Sequence, residues 1–190
     1  MSKIRIIGKH YHQRKMYPTD RMPYLQEIDR VLQSIDVDEC RTKQGKEQTR
    51  KGEMLISPIK LNSIIKKGLV PLGWAPKKVG YHNQRPISYI PAYQPVIERV
   101  SNKEVDFCKN IIGAEFQFGK YFSGMYDIST KLIVLYRRGE IKLGVCITPS
   151  HKMIKQMSTG VGTYEKLVRD LRDITGEIKM PLLILGIEPS

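Results

Sequence analysis

Residues Ala114-Glu115-Phe116-Gln117-Phe118 alternate apolar and polar without a break. That period of two belongs to a β-strand, so Ala114, Phe116 and Phe118 are assigned to a core face and Glu115 and Gln117 to the opposite face. The two polar side chains then stand roughly 6.6 Å apart along the strand. A strand of this kind needs neighbours, and the second half of the chain offers them. Val105 and Phe107 precede a turn at Lys109-Asn110. Residues 132–136 and 141–147 are apolar runs of strand length on either side of Arg137-Arg-Gly-Glu140, and 181–186 reads as a buried strand. Residues 121–129 are amphipathic and leave the element type open.

Three segments carry helical spacing instead. Residues 24–35 place Leu25, Ile28, Val31, Leu32 and Ile35 on one stripe. Ser57-Pro58 supplies an N-cap and a first-turn proline, Ile59, Leu61, Ile64 and Ile65 follow, and Gly68 reads as the end of that helix. In 164–174, Leu167, Val168, Leu171 and Ile174 share a face. Residues 9–23 read as an arm or loop. The basic run 41–52 has no large apolar side chain and reads as a solvated loop suited to phosphate, and the proline-rich 71–95 reads as a long loop with short extended pieces. The fold class predicted is α/β, a sheet with helices packed on it. The 190 residues form one domain, with 1–103 mainly helix and loop and 104–190 holding the sheet; a globule of this size buries roughly 70% of its unfolded surface.

Charge narrows the function. Thirty-two Lys and Arg against 19 Asp and Glu leave +13, which favours a polyanionic partner, nucleic acid before an anionic membrane surface. The basic residues are dispersed rather than lined along one amphipathic helix, which argues against the membrane. No apolar run approaches the roughly 18 residues of a membrane span, and Met1-Ser-Lys-Ile-Arg-Ile-Ile-Gly8 has no signal-peptide pattern, so a cytoplasmic location is expected. Cys40, Cys108 and Cys146 are widely spaced and read as small buried hydrophobes. His10 and His12 have no acidic or Cys ligand nearby and are not read as a metal site, and Gly160-Val-Gly162 lacks the Lys of a phosphate-binding loop, so no nucleotide cofactor is expected.

Asp106 lies nine positions before Glu115, far enough for a tight turn to bring the two strands side by side. Mg²⁺ takes one or two carboxylates, a carbonyl and retained waters. Asp106, Glu115 and the main-chain carbonyl of Phe116 could supply that set, and Gln117 could hold a water without adding charge. An ordinary polar strand face fits the same spacing, and residue types alone leave both readings open.

The run Asp106-Phe-Cys-Lys-Asn-Ile-Ile-Gly-Ala-Glu115-Phe-Gln117-Phe-Gly-Lys-Tyr121 closely resembles the active-site segment of type II restriction endonucleases of the BglII and BstYI group, a branch of the PD-(D/E)xK nucleases in which Gln replaces the usual Lys. Ser34-Ile-Asp-Val-Asp-Glu-Cys-Arg-Thr-Lys43, the Lys46-Glu-Gln-Thr-Arg-Lys-Gly52 loop, Ser57-Pro58 with Leu61-Asn62, and Gly73-Trp74 are similar to the group's N-terminal half. Met157-Ser-Thr-Gly-Val-Gly-Thr-Tyr-Glu165 and the terminal Pro181-Leu-Leu-Ile-Leu-Gly-Ile-Glu-Pro189 resemble its C-terminal part. The likeness spans roughly three quarters of the chain.

The resemblance implies a restriction-endonuclease-like fold with a central mixed sheet flanked by helices. It also implies a homodimer on palindromic double-stranded DNA, built around GATC in the known members, and Mg²⁺-dependent hydrolysis leaving 5′-phosphate ends. It makes Asp106, Glu115 and Gln117 the catalytic positions. Lys120, Ser158 and Thr159 become candidates for base contacts, and Lys43 and Lys46 of the basic loop for DNA binding. Subunit contacts are expected partly from the apolar face of 24–35. Residues 1–22 show no counterpart and 75–103 match weakly; Asn83 or His82 in that stretch could assist the water. The alternatives are a non-enzymatic nucleic-acid-binding protein, or a nicking enzyme or subunit of a heterodimeric nuclease.

Overall fold

The computed structural model describes residues 2–12, 22–80, 91, 103–119, 124–174 and 176–190. Its centre is a six-stranded mixed sheet in the order β1-β8-β7-β6-β5-β4. The strands are β1 (Ile4–His12), β4 (Ala75–Val79), β5 (Lys103–Lys109), β6 (Ile112–Phe116), β7 (Leu143–Pro149) and β8 (Leu182–Pro189). A separate hairpin pairs β2 (Arg41–Gln44) with β3 (Met54–Ile56). Strands β6, β7 and β8 run parallel, while β1, β5 and β4 join antiparallel at the two sides. The expected α/β class and mixed sheet are therefore present.

Alternate residues of the parallel strands feed two cores. Ala114, Phe116, Val145, Ile147, Leu183 and Leu185 face α1 (Met22–Ser34) and α2 (Pro58–Leu69). Cys146, Leu182 and Ile184 face α6 (Tyr164–Asp173) and a helical segment, α3 (Gly124–Asp127) and α4 (Ile133–Arg137), joined by a π-helical turn, Ile128–Leu132. A short helix, α5 (His151–Ile154), follows β7. Sheets covered on both faces are where near-continuous apolar strands occur, as β7 and β8 show.

Several elements differ from the sequence reading. Residues 132–136 are helical, because Ile128, Leu132 and Leu135 are buried at helical spacing against the sheet, and tertiary packing outweighs their β-branched neighbours. Residues 4–12, whose last four fall within the expected arm, pair with β8 and close one edge of the sheet; residues 13–21 of that arm lie outside the described residues. Within 71–95, β4 is one of the expected short extended pieces, and what the sequence did not indicate is that it closes the other edge of the sheet, so the N-terminal half supplies both edge strands. The basic run 41–52 is largely a hairpin. Helix α2 continues past Gly68 to Leu69; a methyl at Gly68 would lie 2.7 Å from Val31 Cγ1, so the glycine lets α1 and α2 approach. Ile28, Val31 and Leu32 of α1 are buried within the chain's own core, so of the stripe expected to make subunit contacts they are spent on the fold, while Leu25 stays half-buried beside exposed Met22. The helix at 164–174 and the Ser57 cap, which accepts from the Lys60 N–H at 3.3 Å, are as predicted. All three cysteines are free; Cys40 and Cys146 are buried and Cys108 is half-buried.

Two glycine pairs set the helices close to the sheet. Gly113 and Gly144 are register partners on β6 and β7, and a methyl on either would sit 3.0–3.2 Å from Leu132. Gly8 and Gly186 are partners on β1 and β8, with the Tyr164 ring lying on both. A Cβ at Gly186 would come within 2.5 Å of that ring. Gly186→Ala should therefore destabilise the fold by about 1–3 kcal/mol, the usual range for overpacking, read as a lowered thermal midpoint.

Glu188 ties β8 to its surroundings. Its carboxylate takes Arg5 Nη2 at 2.6 Å from the neighbouring strand and Ser150 Oγ at 3.0 Å, with Lys152 Nζ at 3.6 Å. The Arg5 hydrogen bond leads the effects that hold the Glu188 pKa below its ordinary value. Stability from this group is present above the unfolded carboxylate range and is lost as pH falls through the lower folded value. Glu188→Gln should flatten that acid-side decline in urea titrations between about pH 5 and 2, while wild type keeps the slope.

Candidate active site

The strict alternation at 114–118 does place Glu115 on the face opposite Ala114 and Phe116, but that face is not solvent. Glu115 is fully buried, with Cys146 beside it on β7 and the π-helical turn above. The β5–β6 hairpin brings Asp106 across: Phe107 pairs with Ala114, so Asp106 comes level with Glu115 one step further on. Asn110 makes this tight reversal with φ +50°, a left-handed conformation that Asn tolerates. Asp106 Oδ2 then accepts from the Phe116 N–H at 2.8 Å. Gln117 continues β6 by donating its N–H to Ile147 O at 2.8 Å, and its side-chain amide donates to Asp127 Oδ2 at 2.7 Å.

Asp127 and Lys131, neither singled out from the sequence, complete the cluster. Lys131 Nζ lies 3.2 Å from Glu115 Oε1 and 3.2 Å from Asp127 Oδ1. The signal for them was the Asp-x-x-x-Lys spacing in the amphipathic stretch, which puts both on one helical face. Burial, with the Asp106 charge adding to it, pushes the Glu115 carboxyl up to about 9. Burial also raises Asp106, against the opposing Phe116 hydrogen bond. Desolvation works against the Lys131 ammonium, but Glu115 and Asp127 outweigh it and raise its pKa. Two acids, Glu115 and Asp127, thus share one ammonium with Asp106 level beside them, and the raised carboxyls mark a site that carries its full negative charge only at a cost, which a bound cation would relieve.

This donor set suits a hard divalent cation. Glu115 Oε1 is buried and meets the Lys131 ammonium at 3.2 Å without hydrogen-bond geometry, which leaves it acceptor capacity that a better placed cation would use. The Phe116 carbonyl accepts one long bond, from the Phe118 N–H at 3.3 Å, and retains a second lone pair. Among the described residues no group of three or more His, Cys, Asp or Glu side chains is placed to hold a metal ion; Mg²⁺ needs only one or two carboxylates and keeps several waters. Asp106 also lines a cleft of about 170 Å³ with Asn62, Lys66, Pro76, Glu104 and Phe107, giving the buried pair an approach from outside.

A family model, restriction endonuclease BglII/BglIII, matches residues 8–187. The chain belongs to the BglII restriction endonuclease family. Membership makes it a type II site-specific deoxyribonuclease, in a family that generally uses divalent metal ions. Two solved structures share the fold. One is BglII complexed with a DNA 16-mer, at a TM-score of 0.68 and 18% identity over 97% of this chain and 75% of that one. The other is free BglII, at 0.60 and 18% over 97% and 78%. No curated protein sequence matches the chain. Among the described residues no helix is long and apolar enough to cross a membrane.

The residues expected to meet DNA fall at a second place. Lys43 of β2 donates to Ser158 Oγ at 2.6 Å. Thr159 Oγ1 donates to Glu47 Oε1 at 2.6 Å, and Ile56 N donates to Gln156 O at 2.8 Å. Arg50 reaches the carbonyls of Ile154 and Met157. The basic hairpin and the 154–159 loop are therefore one packed unit, and Lys46 stands exposed on it. Gln117 follows the C-terminal end of β6 and the 154–159 loop lies beyond that of the parallel β7, so both belong to the same end of the sheet, where open α/β sheets bind ligands. Lys120, His82 and Asn83 lie outside the described residues. Arg50→Ala should unlock the hairpin, raising amide hydrogen exchange across 41–56 while leaving β7 and β8 protected; unchanged exchange would show that the arginine does not hold it.

Proposed function

We propose that the protein cleaves both strands of double-stranded DNA in a Mg²⁺-dependent reaction, at a palindrome with a GATC core, leaving 5′-phosphate ends and acting as a homodimer. The observation that carries the reading is the convergence of Asp106 and Glu115, with a buried Glu115 oxygen lacking a hydrogen bond, in a chain of the BglII family. The DNA in the BglII complex supports duplex DNA as the partner.

In this reading Asp106, Glu115 and the Phe116 main-chain carbonyl hold Mg²⁺. When bound, the ion screens the attacked phosphate, activates a water and stabilises the leaving oxygen. The chain's own groups do the rest. Gln117 orients the attacking water by hydrogen bond and adds no charge beside an already anionic phosphate. Asp127 fixes that side chain by taking its amide hydrogen. The apolar wall of Phe107, Phe116 and Phe118, with Phe107 and Phe116 edge to face at 5.5 Å, holds β5 and β6 in place beneath the acids. Ser158, Thr159 and Lys120 contact base edges, and Lys43 and Lys46 contact the DNA from the hairpin. Lys43 and the Ser158 hydroxyl already share a hydrogen bond, so both enter a groove from one point.

Asp106→Ala and Glu115→Ala should each lower plasmid cleavage in Mg²⁺ by about 10³-fold or more, since transition-state charge stabilisation of several kcal/mol is lost, while binding to duplex in EDTA stays within a few fold of wild type. Sequencing the fragment ends gives the site and the end chemistry, and the solution mass gives the subunit number. Cleavage retained by both variants would remove these acids from the mechanism; ends without a GATC core would move the specificity elsewhere.

A further inference from the structure

Lys131 occupies an unusual position for a lysine. It sits on the π-helical turn Ile128–Leu132, which Leu132 seats on the paired glycines 113 and 144, and its side chain is only 15% exposed. Its ammonium touches Glu115 through both oxygens, at 3.2 and 3.5 Å, and Asp127 at 3.2 Å. Asp127 in turn takes the Gln117 amide. One positive charge is thus linked to every side chain of the site except Asp106, which stands level with Glu115.

We propose that Lys131 is the resident counter-cation of this site: it offsets part of the negative charge of Glu115 and Asp127 when no divalent ion is bound, and competes with that ion for Glu115. This rests on the reading that Asp106 and Glu115 hold the metal. Three features favour an exchangeable contact over a permanent ion pair. Glu115 Oε1 meets the ammonium at 3.2 Å but out of line for a hydrogen bond, so the contact at that oxygen is weaker than an aligned one. A lysine is a point charge on a flexible stem, which can turn toward Asp127 while remaining paired, whereas a guanidinium would be locked to the carboxylate fork. And without Lys131 three acids, Asp106, Glu115 and Asp127, would share a buried site with no cation from the described residues in contact with Glu115, which a fold tolerates poorly.

The inference makes opposite demands on the metal-free and metal-bound protein. Lys131→Met should lower the thermal midpoint in EDTA, and Ca²⁺ titrated onto the DNA-free protein should bind on the order of tenfold more tightly, because a repelling charge next to the ligand is gone. The gain appears both in calorimetric titration and as a larger Ca²⁺-induced rise in midpoint. Lys131→Arg, which keeps the charge, should show no gain. Lys131→Met with wild-type or weaker Ca²⁺ affinity would overturn the proposal, as would Lys131→Met and Lys131→Gln both failing to fold in EDTA and in Ca²⁺, since the lysine would then be structural whatever ion is present. Adding Asp106→Ala to Lys131→Met separates the two readings. If the double variant keeps the whole Ca²⁺ gain, the assignment of the metal to Asp106 fails; if Lys131→Met gives no gain while Asp106→Ala alone weakens Ca²⁺ binding, only the counter-cation fails.

Discussion

A carboxylate on the inner face of a sheet, under a helix, is costly to bury, and the arrangement around Glu115 answers that cost. Truncating one member of a buried ion pair typically costs 3–5 kcal/mol because its partner is left uncompensated. Glu115 has Lys131 as that partner, and Lys131 reaches it only because the helical segment sits low on the sheet. The height is set by Gly113 and Gly144, which leave room for Leu132. On the other edge of the same strand, the β5–β6 turn at Asn110 fixes the register that brings Asp106 level with Glu115. Glycines, a left-handed Asn and a π-helical turn therefore act together on one carboxyl group.

The opposite core provides the rigidity this needs. Glu27 of α1 receives the Lys109 ammonium at 2.7 Å on each oxygen and the Trp74 indole N–H at 2.8 Å. Lys109 ends β5 just before the Asn110 turn, and Asn110 itself donates to the Tyr24 hydroxyl at 2.7 Å. Both interactions anchor the hairpin's tip to α1, so the pair of strands carrying Asp106 and Glu115 is held from behind as well as from above. Sites on strands buttressed in this way keep tighter geometry than sites on loops.

How far the sequence disclosed this depends on which interactions are local. The alternation at 114–118, the Asp106 spacing and the turn between them are short-range, and the strands, their register and the facing of Glu115 were legible from them. The helices at 24–35, 57–68 and 164–174 were legible because amphipathic spacing and the Ser57 cap are also local. What was not legible depends on pairing at long range. Residues 4–12 carry Lys, Arg and His on an edge strand, and only their partner β8, at the far end of the chain, makes them β. The basic hairpin is held by Arg50 reaching residues more than a hundred positions away. The run at 132–136 has the composition of a strand and becomes helical because the paired glycines beneath it accept a helix.

Lys131 shows the same limit at the level of function. In the sequence it is one of 32 basic residues in a chain of net charge +13, and that composition does not say which of them contact phosphate. The fold sorts them by where their charge is spent. Lys43 and Lys46 sit on a unit at the C-terminal end of the parallel strands, where a polyanion can arrive. Lys109 is consumed by Glu27 and Arg5 by Glu188. Lys131 is turned inward against Glu115 and Asp127, where a phosphate would have to displace two carboxylates to reach it. A basic residue beside a buried pair of acids is thus bound to their charge balance before it is available to a polyanion, and net charge overstates how much positive surface is free to meet DNA.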